Sequence, residues 1–436
     1  MIEANIAGII VVALLAFLLI VGAQIGVALG LVGLLGIALV IGPDAALAQL
    51  ATVPFSTTNS FTLAVIPMFI FMGAFATHAG LTTDLYRAAY NWMGRLPGGL
   101  AIATTLASAA FGAASGSTVV NSAVFTRIAM PEMTRMGYDR RLSAGCIAAS
   151  GTLAALIPPS IIMVVYAIVT EQSISKMMLA GLIPAALTVA AFVLGIYLRV
   201  LRTPALAPIQ QVVVSQREKW QSLSAVWGIS FLFLLVIGGI YTGLFTPTYA
   251  GAVGAFGAFL IALGKRRMNR SAFLDIIREA SITTTTIFII IIGGMIFSRF
   301  LTYTGLVGSI VDSMLALELP PYAYLLAFIA LYVVLGMVIE AVAIMIMTLP
   351  VMFPVLTGVG YDPIWLGIIA VKLAEIALIT PPVGLNVYVV RSASPVPLSL
   401  GDVFRGVTPF VVIEFLILLV LILFPDLVTF IPNMME

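Results

Sequence analysis

The chain has 436 residues, of which 62% are hydrophobic and 9% are charged, with 20 Lys and Arg against 18 Asp and Glu. Soluble domains carry roughly 25% charged residues, so this composition and a mean hydropathy of +1.19 predict an integral membrane protein. The near-neutral balance gives no indication of nucleic-acid binding. The single cysteine, Cys146, excludes a disulfide framework, and the single histidine, His78, argues against a histidine-based metal site.

Apolar stretches recur along the whole chain. A helix needs roughly 20 residues to cross about 30 Å of hydrocarbon, and about ten segments qualify. They cover residues 6–21, 25–41, 61–78, 142–169, 178–198, 223–244, 249–263, 282–301, 364–390 and 407–430. The first segment lacks the basic start and cleavage site of a signal peptide, so we expect it to be retained. The sequence predicts an all-α polytopic membrane protein.

Glycine and proline landmarks occur twice at one constant spacing. Gly-Tyr-Asp occupies 137–139 and 360–362, and Pro-Pro occupies 158–159 and 381–382. The offset is 223 positions in both cases (360 minus 137, and 381 minus 158). Consecutive prolines remove backbone donors and clash with the preceding helical turn. The register therefore predicts a duplicated unit in which each copy contains a broken helix.

Two further apolar segments, 99–129 and 322–350, differ from the spans. The first lies between clusters of basic residues, which mark cytoplasmic loops, so it must enter and leave the membrane on one side as a re-entrant hairpin. Its centre, 112–118, is rich in Gly and Ser, which tolerate a tight, non-helical tip. No Lys or Arg occurs between residues 300 and 371, so we expect the second hairpin to enter from the opposite side.

These features divide the chain into two halves, 1–223 and 224–436. Each half holds one hairpin and one broken helix, at 142–169 and 364–390, in opposite orientations and with both chain termini outside. Inverted repeats with broken helices are the common plan of secondary transporters, which bind substrate and ions near the midplane. A channel whose pore the hairpin tips form is a remote alternative.

Hairpin tips and helix breaks free carbonyl and hydroxyl oxygens, which are tolerated in a membrane where they line a cavity or bind a cation. Such oxygens suit Na⁺, and half-helix N-termini favour an anionic substrate between them. One cation is expected at Ser115, Gly116, Ser117, Gly151, Thr152 and Pro158, and a second at Gly336, Glu340, Thr380, Pro381 and Gly384. Ordinary helix kinking explains a single Pro-Pro equally well, and H⁺ coupling through Glu340 or Glu375 stays open.

Other polar residues at membrane depth are functional candidates. Lys372 and Glu375, three positions apart, are expected to pair on one helix face. Candidate substrate-binding residues are Ser160, Asn121, Asn386 and Arg127. Arg127 also fits a cytoplasmic anchor, and the two asparagines also fit hydrogen bonds between helices. The sequence has no nucleophile motif, metal cluster or phosphate loop, so we expect no enzymatic activity and no cofactor other than Na⁺ as the coupling ion.

The ordered motifs resemble those of the large membrane subunit of tripartite ATP-independent periplasmic (TRAP) transporters. The motifs are Gly-x-x-Ser-Gly-Ser at 112–117, Pro-Glu-Met-x-Arg-x-Gly-Tyr-Asp at 131–139, Ile-Pro-Pro-Ser at 157–160 and Thr-Pro-Pro-Val-Gly at 380–384. The likeness covers essentially the whole chain. It implies a Na⁺-coupled carboxylate importer of the bacterial inner membrane, with an elevator-type architecture in which a transport module moves against a scaffold.

The resemblance also implies two protein partners. One is a small four-helix membrane subunit, and the other is a periplasmic substrate-binding protein that delivers the carboxylate. Because this chain starts at its own first span, we expect the small subunit to be a separate polypeptide. The alternative within transport is a stand-alone carboxylate symporter or antiporter that needs no binding protein.

Overall fold

The computed structural model describes residues 4–208 and 214–434, and all regular structure in this part of the chain is helical. The helices are α1 (Ala4–Ile20), α2 (Ile25–Val40), α3 (Pro43–Thr58), α4 (Val65–His78), α5 (Leu81–Met93), α6 (Gly99–Ser115), α7 (Thr118–Arg135), α8 (Arg140–Thr152), α9 (Ile161–Val169), α10 (Ile174–Ala180), α11 (Leu182–Arg202), α12 (Gln216–Ala225), α13 (Trp227–Phe233), α14 (Gly239–Tyr241), α15 (Pro247–Gly264), α16 (Arg270–Tyr303), α17 (Leu306–Leu315), α18 (Pro321–Gly336), α19 (Ala341–Gly358), α20 (Pro363–Ile379), α21 (Leu385–Ala393), α22 (Leu400–Leu423) and α23 (Asp426–Asn433). The prediction of an all-α protein is confirmed.

Five helical segments of the described chain are long and apolar enough to cross a membrane. They are Ile174–Arg202, Pro247–Gly264, Arg270–Tyr303, Ala341–Gly358 and Leu400–Leu423. Two bent helix pairs, α3 with α4 and α12 with α13 and α14, raise the number to as many as seven. Shorter apolar helices, among them α1, α2 and α6, add to this set. The expected count of about ten spans stays a prediction, because length and composition alone do not place a helix in a bilayer.

Helices of the second half follow those of the first at the same offset of 223 positions. α19 starts and ends 223 residues after α7, and α20 starts 223 residues after α8. α15 matches α2 to within one residue at each end. One pair differs in shape: α3 and α4 meet at an angle of 59°, whereas α16, in the corresponding place, is one helix of 34 residues. The regular spacing thus extends well beyond the Gly and Pro landmarks.

The helix that follows each break packs against the other half of the chain. α9 lies against α19 and α20, and α21 lies against α7 and α8. The Tyr166 hydroxyl on α9 donates a hydrogen bond to the Pro363 carbonyl over 2.6 Å. The Asn386 amide on α21 donates to the Ala148 carbonyl over 3.4 Å. The two breaks therefore share one buried core.

A second packing unit surrounds the first helices of the chain. α1, α2, α3 and the C-terminal part of α16 enclose an apolar cluster of their own. α2 approaches α16 closely, since a Cβ on Gly26 would lie 2.6 Å from the Ile289 backbone and one on Gly33 would lie 2.9 Å from the Phe297 backbone. Small residues at such a seam allow helix backbones to pack directly. Of these helices, α16 also packs against α19 of the second hairpin.

Candidate ion and substrate site

The first hairpin turns at Gly116 and Ser117, between α6 and α7. Gly116 has φ +57°, where glycine is favoured because it has no Cβ, and an added Cβ would lie 2.7 Å from the Pro159 carbonyl oxygen. Ser117 begins α7, and its hydroxyl accepts a hydrogen bond from the Val120 amide over 3.4 Å. The Ser115 hydroxyl is buried and has no hydrogen-bond partner among the described residues. The tip therefore presents oxygen atoms directly beside the first helix break.

The first break separates α8 from α9 over residues 153–160. α8 ends at Thr152, whose hydroxyl donates to the Ala149 carbonyl over 2.8 Å. A 3₁₀ turn follows, and then the cis peptide Pro158-Pro159 leads into α9. Proline nitrogens donate no hydrogen bond, so helical pairing of the backbone stops here. Gly151 packs against Ser122, because an added Cβ would lie 1.9 Å from that hydroxyl oxygen.

The second hairpin turns over residues 337–340, between α18 and α19. Gly336 lies against α20, where an added Cβ would be 2.2 Å from the Cβ of Ala377. Glu340 precedes the first turn of α19, and its Oε2 is buried without a hydrogen-bond partner among the described residues. A negative charge at a helix N-terminus is favoured by the helix dipole. This tip therefore adds an acidic oxygen, where the first tip has hydroxyls.

The second break is shorter and covers residues 380–384. Thr380 has an extended backbone, and its hydroxyl donates to the Ile376 carbonyl over 2.6 Å. The cis peptide Pro381-Pro382 follows, and Gly384 has φ +56°. An added Cβ on Gly384 would lie 3.2 Å from the Thr380 carbonyl oxygen. Thr380 and Gly384, which the sequence assigns to one cation site, thus lie together in a single turn.

The four predicted substrate-binding residues occupy different surroundings. Ser160 is buried and begins α9, with its hydroxyl accepting from the Met163 amide over 3.4 Å. Across the first hairpin, Asn121 Oδ1 accepts a hydrogen bond from the Ser108 hydroxyl over 3.1 Å, and Asn121 Nδ2 donates one to the Ser108 carbonyl over 3.0 Å. Asn386 is buried and its Oδ1 has no partner among the described residues. Arg127 is exposed on α7. Of the two asparagines, only Asn386 therefore keeps a free polar atom.

A small cavity of about 20 Å³ separates the first tip from α4 and α16. Ser115, Ser117, Thr283 and Glu279 are among its lining residues, and the volume suits a single water-sized occupant. Glu279 is not among the residues expected from the sequence. The one feature of the sequence that could have drawn attention to Glu279 is the hydroxyl-rich run Ser-Ile-Thr-Thr-Thr-Thr at 281–286, which begins two residues later.

A cavity of about 740 Å³ lies at the far end of the first hairpin, between α5, α7 and α12. It reaches Ile128 on α7, eleven residues beyond Ser117 and therefore roughly 16 Å along the helix. Its charged lining is largely paired: Arg135 contacts Glu132 at 2.7 Å, and Asp84 is paired with Lys265. This cavity is separate from both hairpin tips.

A fully buried charge cluster lies in α20 and α22. The predicted pair is confirmed, since Lys372 Nζ donates to Glu375 Oε2 over 2.9 Å. A second carboxylate, Glu414, lies 2.5 Å from the same ammonium group, which also donates to the Thr188 hydroxyl over 2.9 Å. The side chains of all three charged residues are 0% exposed. Glu414 is not among the predicted residues, although an acidic residue inside the apolar stretch 407–430 is itself a signal.

The chain matches known protein families over nearly its full length. Residues 12–427 match the family described as the tripartite ATP-independent periplasmic transporter, DctM component. The C4-dicarboxylate TRAP transporter large permease protein DctM of Pseudomonas aeruginosa is 38% identical, with 93% of each chain covered. The 2,3-diketo-L-gulonate TRAP transporter large permease protein YiaN of Escherichia coli is 31% identical, with 85% of this chain and 86% of the relative covered.

Two further similarities concern a more distant relative and a solved structure. The sialic acid TRAP transporter large permease protein SiaM of Vibrio cholerae is 29% identical, over 86% of this chain and 87% of the relative. The crystal structure of the YdaH transporter of Alcanivorax borkumensis, whose title describes an unusual topology, superimposes with a TM-score of 0.58. That match covers 88% of this chain and 90% of the other, at 16% identity, and so shows a shared fold.

Proposed function

The chain belongs to the DctM family of tripartite ATP-independent periplasmic transporters, as a multi-pass large permease and not an enzyme, and we propose that it imports an organic acid together with Na⁺. The observation that carries this proposal is the pair of matched tips and breaks. Gly116 lies beside Pro159 in the first half, and Gly336 lies beside Ala377 in the second. The Pro159 carbonyl oxygen lies beside the first tip, and the Thr380 carbonyl oxygen lies beside Gly384 in the second break; such oxygens at an interrupted helix suit a hard monovalent cation.

The two Na⁺ sites follow the residues expected from the sequence, one at each tip and break. Buried oxygens without partners support this assignment, namely the Ser115 hydroxyl at the first tip and Glu340 Oε2 at the second. A buried polar atom without a hydrogen bond costs about 1–3 kcal/mol. A bound cation removes that cost by accepting the free lone pairs.

The substrate is proposed to be a carboxylate held between the two tips. α7 and α19 both begin at a tip, and the positive ends of their dipoles favour an anion there. The relatives' names specify C4-dicarboxylate, 2,3-diketo-L-gulonate and sialic acid, which are all organic acids. Ser160, Asn386 and Arg127 are the candidates for substrate contact, with Asn121 as a support of the hairpin.

Transport is proposed to occur by movement of one module against a scaffold. The module contains the hairpins α6–α7 and α18–α19 with the broken helices, and the scaffold contains α1–α4, α15 and α16. The two parts meet at glycines: an added Cβ on Gly73 would lie 2.8 Å from the Cα of Ser115, and one on Gly294 would lie 1.8 Å from Ile346. Small residues at these positions let the helices of the two parts approach closely. The 740 Å³ cavity is the proposed cytoplasmic opening.

Partners and location follow from the family. Transporters of this kind work with a small membrane subunit and a periplasmic substrate-binding protein, and we propose both for this chain. We place the complex in the bacterial inner membrane, with both chain termini on the periplasmic side and the two repeats in inverted orientation.

The test is uptake of radiolabelled carboxylates into proteoliposomes that contain this chain and its small subunit. A C4-dicarboxylate, 2,3-diketo-L-gulonate and sialic acid are supplied in turn, with and without an inward Na⁺ gradient and the cognate binding protein. We expect uptake of one of them to require both the gradient and the binding protein.

The control liposomes contain the Gly116→Ala variant at equal protein density. Uptake without the binding protein identifies a stand-alone symporter and contradicts the tripartite proposal. Uptake that ignores the Na⁺ gradient and follows a H⁺ gradient contradicts the proposed coupling ion.

A further inference from the structure

The buried cluster of Lys372, Glu375 and Glu414 has more negative than positive charge, and we propose that it is a proton-binding site, in which the two carboxylates share one resident proton taken from solvent as the chain folds. This site is separate from the two proposed Na⁺ sites. It is also distinct from the coupling chemistry, because the proton stays in place during transport.

The geometry brings one ammonium group between two carboxylates. Lys372 Nζ lies 2.9 Å from Glu375 Oε2 and 2.5 Å from Glu414 Oε2. Its third contact is the Thr188 hydroxyl on α11, at 2.9 Å. The cluster therefore joins three helices, α11, α20 and α22, and all donors of the ammonium group have a nearby oxygen.

With both carboxylates ionised, the two negative charges of the cluster face one positive charge, so one negative charge has no partner within the cluster. Glu375 Oε1 and Glu414 Oε1 are buried and have no hydrogen-bond partner among the described residues. An isolated charge in a protein interior costs several kcal/mol even after relaxation, and two carboxylates that share a site hold a proton between them for the same reason. One proton makes the cluster neutral and gives one of the free carboxyl oxygens a hydrogen to donate.

Other charged groups on the same helices lie too far along the chain to replace the proton. On α22 the next charge is Arg405, nine residues from Glu414, and on α11 it is Arg199, eleven residues from Thr188. At 1.5 Å per residue these distances are roughly 13 and 16 Å. The remaining titratable groups on helices that pack against α20 are Tyr166, Lys176, Tyr322, Tyr324, Tyr332, Cys146, Arg140, Arg141, Tyr388, Arg391, Asp402, Asp426 and, at the start of α19, Glu340.

Three of those groups are engaged elsewhere. The Tyr166 hydroxyl donates to the Pro363 carbonyl, the Tyr332 hydroxyl accepts from Thr348, and the Cys146 thiol donates to the Ala101 carbonyl. A Na⁺ ion does not fit in place of the proton, because it prefers several oxygen ligands and the Lys372 ammonium occupies the space between the carboxylates. The ligand that the chemistry favours is therefore H⁺.

The proton is resident because the cluster is sealed. The side chains of Lys372, Glu375 and Glu414 are 0% exposed, and Thr188 is likewise buried. The second tip touches α20 at Ala377, where an added Cβ on Gly336 would lie 2.2 Å from the Ala377 Cβ, and the three charged side chains are fully buried beside that contact. H⁺ coupling through Glu375, which the sequence alone leaves open, is therefore not expected.

The experiment is infrared spectroscopy of the purified full chain in lipid nanodiscs, at neutral pH. The native protein should show the absorption band of a protonated carboxyl group. Glu375→Gln and Glu414→Gln should each remove that band, because either variant leaves one ionised carboxylate for Lys372. Glu318→Gln, at an exposed carboxylate, and Glu340→Gln should keep it.

Thermal unfolding of the same samples gives an independent measure. The native melting temperature should fall as pH is raised from about 5 towards the pH at which the folded cluster loses its proton, because only the folded state holds the proton in that range, whereas Glu414→Gln should lack this dependence. Lys372→Met should lower the melting temperature by about 10 °C at pH 7, since it leaves two buried carboxylates without a cation. Absence of the band in native protein, or its persistence in both Gln variants of the cluster, would overturn the proposal.

Discussion

The two tip-and-break regions have the same backbone plan and different side chains. Each break contains a cis Pro-Pro peptide. The first residue of α19 lies 223 positions after the first residue of α7. The first tip has Ser117 where the second has Glu340. The first break has a 3₁₀ turn and eight residues between its helices, whereas the second has five residues, 380–384.

This difference indicates which atoms carry the shared chemistry. Backbone oxygens at the breaks are retained in both halves, and they suit the same ion in each. The side chain that precedes the second helix of each hairpin is neutral in the first half, where it is Ser117, and acidic in the second half, where it is Glu340. We therefore expect two cation sites with similar backbone ligands and different sensitivity to side-chain changes.

The largest effect is expected for the orientation of the halves. Single cysteines at Asp312 or Glu318 should react with a membrane-impermeant maleimide from the periplasmic side, and a cysteine at Arg267 should react only after the membrane is opened. The native thiol, Cys146, is buried and serves as the silent background. Labelling with the opposite sidedness would remove the inverted relation on which the comparison of the two tips is based.

The next largest effect is expected at the tip and break glycines. Gly116 and Gly384 both have positive φ, and a residue with a Cβ in that region costs about 1–2 kcal/mol. An alanine at Gly116 also meets the Pro159 oxygen at 2.7 Å, whereas the nearest atom at Gly384 is 3.1 Å away. Gly116→Ala should lower the maximal uptake rate by about tenfold more than Gly384→Ala, at equal membrane expression. Equal losses would show that the closer approach at the first tip has no functional role.

A smaller effect is expected from the hydroxyl groups. Ser117→Ala and Thr380→Ala should each raise the Na⁺ concentration for half-maximal uptake by about threefold to tenfold, because each removes one candidate oxygen ligand and 1.4 kcal/mol corresponds to tenfold. Thr408→Ala is the matched control for Thr380, since both hydroxyls donate to the carbonyl four residues earlier. The assigned sites are wrong if both test variants keep the native Na⁺ dependence.

The smallest effect is expected at the start of the broken helices. Arg141 on α8 contacts Asp402 at 3.1 Å, and Ile364 stands at the corresponding place in α20. The two groups attract each other only while the Asp402 carboxylate is ionised, so the pair stabilises the fold at neutral pH and loses its effect in acid. Arg141→Gln should lower the melting temperature by about 1 °C at pH 7 and by less at pH 3. A shift that grows in acid would contradict this assignment.

The backbone of the site could be predicted from local sequence. Pro158-Pro159 and Pro381-Pro382 mark the interruptions because proline has no amide hydrogen, and Gly116 marks the first tip. The contacts between helices around the breaks and the tip could not be predicted in this way, because they join residues that are far apart in the sequence. Asn386 bonds to Ala148, 238 positions away; nothing in the local pattern indicates that contact.

The charge cluster shows the same limit. Lys372 and Glu375 are three positions apart on one helix, so their pairing follows from helical geometry. Glu414 and Thr188 come from other helices, and their approach depends on how α11 and α22 pack against α20. Glu279 is near the first tip for a similar reason, since α16, which carries it, lines the same small cavity as Ser115 and Ser117.

The most direct test of the two-site account is equilibrium binding of ²²Na⁺ to the purified chain in nanodiscs. We predict two bound ions per native chain. At the lowest Na⁺ concentration that saturates the native protein, Gly116→Ala should bind one ion, and Thr380→Ala should bind fewer than two, because its second site is about threefold to tenfold weaker. A native value of one, or a native value of two that neither variant changes, would contradict the assignment of one cation to each tip and break.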